Sequence, residues 1–171
     1  AADGGTVAVR GKDGRLRLMR TGKDAFLSRE WLAADADGRK PNDASLAEGV
    51  ACDESGCVVQ GADGSLIALT LKPEGFADDC TRAAIIVTQR QPPADCAAMV
   101  LDQEMLRTRG TLALHRSANG YAITANRPRG VDRPWAPANQ GDDADALARP
   151  ATRPAQPVDA TPAETDLRPD D

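Results

Sequence analysis

The residues of this chain with chemistry to offer are few: one histidine, four cysteines and two short acidic groups among 171 residues. His115 stands next to Arg116 near the end of an apolar-polar alternation, where a histidine serves as a surface or cap residue. Hydrolytic two-metal centres need several imidazoles and carboxylates converging on the ions, and one imidazole falls short of that set. The acidic groups, Asp78-Asp79 and Asp102 with Glu104, both occur where helices are expected to begin. There, carboxylates interact with free backbone N–H groups, so helix capping is their expected role. A G-x-S-x-G elbow, a Walker loop and a dinucleotide-binding glycine pattern are all missing.

The cysteines form two natural pairs. Cys52 and Cys57 bracket Asp53-Glu54-Ser55-Gly56 on opposite sides of a turn, and Cys80 and Cys96 flank an apolar strand and the Pro92-Pro93 loop. Two disulfides are the expected state, the longer one worth about 3 kcal/mol in the chain-entropy model. Free structural thiols and a four-thiolate zinc site are the alternatives. Zinc sites favour close pairs such as C-x2-C, which this spacing does not provide. Oxidised cysteines would place the domain outside the reducing cytosol.

These residues need a scaffold, and the pattern supplies hairpins with short helices between them. Thr6–Arg10 and Arg15–Met19 flank Lys12-Asp13-Gly14, and Val58–Gln60 and Ser65–Thr70 flank Ala62-Asp63-Gly64. A third pair, Thr111–His115 and Tyr121–Ala125, turns through Asn119-Gly120. Asp24 is expected to cap a helix whose Phe26, Leu27, Trp31 and Leu32 face the sheet. The unbroken run Ala83–Val87 reads as a strand buried on both faces, and Asp102 as the cap of a helix through Arg107 that Gly110 ends. The fold class expected is α/β, layered, with antiparallel hairpins and short helices.

Charge and composition set further bounds. Residues 1–137 carry 18 Lys+Arg against 18 Asp+Glu, and residues 138–171 carry 3 against 8. The latter segment is rich in Pro, Ala and Asp and has no hydrophobic period, so a domain over 1–137 and a disordered tail over 138–171 are expected. A neutral domain lacks the broad basic face of a nucleic-acid binder. The nearest to one is Arg127, Arg129 and Arg133 with Trp135, the candidate contacts to single-stranded DNA or a protein partner. With 41% apolar residues and only five aromatics, the core must rely on small aliphatic side chains. No stretch is long and apolar enough to span a bilayer, and no signal-peptide pattern opens the chain.

Several of these segments, taken in order, resemble one family. Val7-Ala8-Val9-Arg10 through Asp13-Gly14-Arg15-Leu16, the Cys52 to Cys57 hairpin, Asp79-Cys80 with Ala84-Ile85-Ile86-Val87-Thr88, and Asp132-Arg133-Pro134-Trp135 are similar to the C-terminal domain of ComEC-type competence proteins of Gram-negative bacteria. The resemblance implies a degenerate, truncated metallo-β-lactamase-like domain of an inner-membrane channel that takes up single-stranded DNA in natural transformation. Nuclease members carry an H-x-H-x-D-H loop and later histidines. Here no histidine lies between Met19 and Val50, and Ile86-Val87-Thr88 leads into Gln89-Arg90-Gln91. The reading is therefore a non-catalytic, periplasm-facing domain without a cofactor, whose partners are the rest of the channel and single-stranded DNA. The alternatives are a divergent metal-dependent nuclease and a protein-interaction module of the envelope.

Overall fold

The computed structural model describes residues 1–20, 25–118 and 120–127. Two β-hairpins built alike organise them. In the first, β1 (Thr6–Arg10) pairs antiparallel with β2 (Leu16–Arg20); a short strand β3 (Ala51–Cys52) then leads into the second, where β4 (Gly56–Gln60) pairs with β5 (Leu66–Thr70). Gly11-x-Asp13-Gly14-x-Leu16 recurs fifty positions later as Gly61-x-Asp63-Gly64-x-Leu66, and the strand registers recur with it, Thr6 facing Arg20 and Gly56 facing Thr70.

Each turn is a three-residue loop. The first-glycine N–H donates across the hairpin, Gly11 to Arg15 O and Gly61 to Ser65 O, both at 2.9 Å, and the last glycine donates back to the first. The last glycines, Gly14 (φ 76°) and Gly64 (φ 81°), take the left-handed conformation that ends a type I turn in a hairpin. The aspartate between them accepts from a backbone N–H two residues on, at 3.1 Å for Asp13 and 3.0 Å for Asp63.

After each hairpin comes a helix: α1 (Phe26–Ala34) and α2 (Phe76–Arg82). The chain then adds β6 (Ile85–Thr88) and β7 (Met99–Leu101), both parallel to β5, so that one five-stranded mixed sheet runs β3-β4-β5-β6-β7. All four residues of β6 are buried, as expected of the apolar run, although Ala83 ends α2 and the strand begins two residues later than Ala83 and runs through Thr88. A helix α3 (Gln103–Arg109) and the hairpin β8 (Leu112–Ser117) with β9 (Gly120–Ala125) follow.

Alternation along the strands sorts the side chains into layers. Val9 and Met19 of the first hairpin meet Cys57, Val59, Ile67, Leu69, Ile85 and Val87 of the large sheet in one central cluster, which Leu106 of α3 joins and the third hairpin packs against through Leu112, Leu114 and Ile123. On its other face the first hairpin places Leu16 and Leu18 against Leu32 of α1 and Leu46 of the 3-10 turn Ala44–Ala47. The large sheet's other face places Ala68 and Ile86 against Phe76 and Cys80 of α2. The order is thus helix, sheet, sheet, helix.

One expectation about α1 requires correction, and one falls where the structure is not described. Asp24, the expected cap, lies outside the described residues. The inward stripe is Ser28 and Leu32, with Leu27 and Trp31 half-buried, whereas Phe26 is 55% exposed under the guanidinium of Arg29. At roughly 100° per residue, Phe26 lies some 200° from Ser28 and points away. Its repeat counterpart Phe76 is 3% exposed, because β6 widens the sheet beneath α2. Truncating Phe76 to alanine is expected to cost about 3–5 kcal/mol in chemical denaturation. Truncating Phe26 should change stability by no more than about 0.5 kcal/mol; equal losses would contradict the layering.

Candidate functional site

In open α/β sheets the carboxyl ends of parallel strands are where ligands are usually held. Here those ends are Thr70 on β5, Thr88 on β6 and Leu101 on β7, of which both threonines are fully buried. Thr88 Oγ1 donates to Thr70 O at 2.8 Å and accepts from the Arg90 N–H at 3.0 Å. Thr70 Oγ1 donates to Asp79 Oδ2 at 2.6 Å. Beyond the strand, Arg90 Nε donates to Leu71 O at 3.1 Å and Gln89 Nε2 donates to Asp3 O. Thr70, Thr88, Gln89 and Arg90 each have a side-chain bond to the domain's own backbone or to a neighbouring side chain. The set tethers strands, helix and flanking chain to one another.

That arrangement corrects the reading of Asp79 as a cap. Asp78 and Asp79 do sit in the first turn of α2, but the helix has no side-chain cap bond. Asp79 instead faces the sheet, because its turn of helix lies over the end of β5. Asp102 behaves as expected, its Oδ1 accepting from the Met105 N–H at 2.9 Å, and Gly110 ends α3 with φ 75°.

All four cysteines are oxidised, as Cys52–Cys57 and Cys80–Cys96. Cys52 and Cys57 are directly opposed residues of β3 and β4, so the first bridge fastens a two-residue edge strand. The second joins α2 to the loop between β6 and β7 and closes over the small-residue cluster of Ala68, Ala83 and Ala98. Sulfurs joined in this way have no thiolate to offer a metal.

The remaining candidates are dispersed. His115 is exposed on β8 opposite Ala122. Arg127 Nη1 donates to Arg107 O at 3.1 Å, and its backbone N–H donates to Arg109 O, so this arginine closes the end of α3. Arg129, Arg133 and Trp135 lie outside the described residues, as does the segment 138–171. Among the described residues no three His, Cys, Asp or Glu side chains gather as a metal-binding group would, and no helix is long and apolar enough to cross a membrane.

Two polar clusters escape the sequence pattern altogether. Arg39, only 7% exposed, holds Asp37 through Nε and Nη2, reaches Ser45 Oγ at 3.1 Å and donates to Leu16 O at 2.9 Å, pinning the loop after α1 to the start of β2. Hydrogen bonds from the Arg39 side chain and backbone hold the Asp37 carboxyl down to about 2. At the other end, Arg116 and the Tyr121 hydroxyl both reach Asp63 Oδ2, joining the third hairpin to the turn of the second. Burial opposes ionisation of Asp63, yet bonds from Ser65 and the charge of Arg116 outweigh it and keep the carboxyl below its ordinary range. Asp37 and Arg39 are two residues apart and look like loop residues; nothing in that spacing announces a bond to Leu16, which is 23 positions away.

A carboxyl depressed in the folded state stabilises it above the unfolded-state value and loses that contribution as pH falls toward the folded value. Stability should therefore drop between about pH 3.8 and about pH 2 in part through Asp37, and Asp37→Asn should flatten that stretch of the profile; an unchanged profile would refute the clamp. Replacing Cys80 and Cys96 with serine is expected to cost about 3 kcal/mol, and replacing Cys52 and Cys57 about 2 kcal/mol, from the loops they close. Denaturant midpoints of the two double variants check that order.

No family model, curated protein or solved structure matches the chain.

Proposed function

We propose that this chain is a non-catalytic, extracytoplasmic domain of a ComEC-type DNA-uptake channel, a degenerate metallo-β-lactamase-like fold kept as a scaffold beside the pore. One observation carries the reading. The end of β6, where the family resemblance calls for metal-binding histidines in nuclease members, holds Thr88, Gln89 and Arg90, and all three side chains bond to the domain's own backbone. Groups committed in this way hold structure and are poorly disposed to bind ions or activate water.

The helix-sheet-sheet-helix order supports the fold assignment, and the two disulfides support an oxidising compartment such as the periplasm. The domain's partners on this reading are the rest of the membrane channel and the single-stranded DNA passing it, with Arg127, Arg129, Arg133 and Trp135 as the candidate contacts. Arg127 would then serve DNA only through the N–H groups that its bond to Arg107 O leaves over.

Incubating the chain with labelled DNA and magnesium, manganese or zinc tests the absence of nuclease chemistry. No cleavage is expected at any metal concentration. Cleavage that a chelator abolishes would overturn the reading. The channel assignment is tested by deleting this domain from the parent protein, which should lower transformation while leaving DNA binding at the cell surface intact.

A further inference from the structure

An open depression of about 490 Å³ lies between the turn of the first hairpin and the loop after α1, lined chiefly by Arg15, Asp37, Arg39, Lys40, Asn42 and Asp43. Its acidic groups already have partners. Asp37 is held by Arg39, and Asp43 Oδ1 accepts from both the N–H and the hydroxyl of Ser45, at 2.9 and 2.8 Å. Its donors are less committed. The bonds of Arg39 use Nε, both N–H groups of Nη2 and one of Nη1, which leaves one Nη1 N–H over. Arg15, Lys40 and Asn42 make no side-chain hydrogen bond or ion pair with a described residue, although the charge of Arg15 is felt at Asp37 and Asp43.

The internal repeat shows that the hairpin turn does not need Arg15. Where the first turn has Arg15, the second has Ser65 with the same register and backbone turn bonds. A surplus of uncommitted donors around a fixed, buried guanidinium suits an oxyanion with several acceptor oxygens. The depression is larger than a bare phosphate requires and falls within the range of about 300–1,000 Å³ typical of small-molecule sites.

We propose that this depression binds the phosphate group of a nucleotide-sized ligand. Arg15 and Lys40 supply the charge, while the Asn42 amide and the remaining Arg39 N–H complete the contacts. No aromatic residue lines the depression, so recognition rests on the phosphate and is weakened by salt. The proposal does not depend on the channel reading, since any phosphate-bearing ligand of this size meets the same groups.

The test is an amide-resolved NMR titration of the whole chain with inorganic phosphate, thymidine monophosphate and a thymidine oligonucleotide. The mononucleotide is expected to shift Arg15, Gly38, Lys40 and Asn42 before any other residues. The double variant Arg15→Ala with Lys40→Ala should weaken binding on the order of tenfold, while Lys40→Arg alone retains it. Both replaced side chains are exposed and unbonded, so the variant keeps its fold, which its spectrum verifies. Tighter binding of the oligonucleotide at the same residues, lost in the double variant, supports the site and identifies its phosphate as one unit of a polymer. Saturation by the mononucleotide with no gain from the polymer supports a small-molecule ligand. The proposal is overturned by shifts that survive the double substitution, by response to inorganic phosphate alone, or by no response to any of the three. If oligonucleotide shifts fall instead around Arg127, the channel reading stands and this site does not.

Discussion

The central cluster between the two sheets is the contact on which the rest depends. Val9 and Met19 of the first hairpin are buried there against Ile67, Leu69, Ile85 and Val87 of the large sheet, and Leu106 of α3 with Leu112, Leu114 and Ile123 of the third hairpin extend the same cover. A two-stranded ribbon is marginal alone in water; it becomes a layer only when both faces are covered. The first hairpin meets that condition with the large sheet on one face and Leu32 and Leu46 on the other.

A core of valine, leucine, isoleucine and alanine buries less area per residue than one rich in aromatics. The fasteners stand at the places where that shortfall is felt. Cys80–Cys96 closes over the cluster of small residues under α2, and Cys52–Cys57 holds a strand with only two paired residues. Arg39 secures the long loop between α1 and β3, and Asp63 with Arg116 and Tyr121 secures the third hairpin. Among the described residues, Arg39 and Asp63 are charged groups that hold loops and turns to strands. The depression beside Arg15 and Lys40 differs because its donors exceed its acceptors.

The end of β6 follows the same economy. Polar side chains at a strand terminus either meet a ligand or satisfy backbone groups that the sheet leaves unpaired. Thr88, Gln89 and Arg90 do the second, and with Asp79 they tie β5, β6, α2 and the chain before β1 to one another.

What the sequence determined by itself was local. Asp-Gly placed both hairpin turns, a continuous apolar run marked β6, Asp102 and Gly110 bounded α3, and short separations paired the cysteines, because each of these depends on a few neighbouring residues. Only the tertiary structure decided which faces met. Phe26 and Phe76 hold matching places in two matching units, yet one is exposed and the other buried, since only the second helix has a third strand beneath it. Asp79 reads as a helix cap and serves as an anchor for Thr70, and Arg39 reads as a loop residue and is a buried clamp on Leu16. Those roles are set by distances between segments far apart in the chain, which neither periodicity nor residue type encodes.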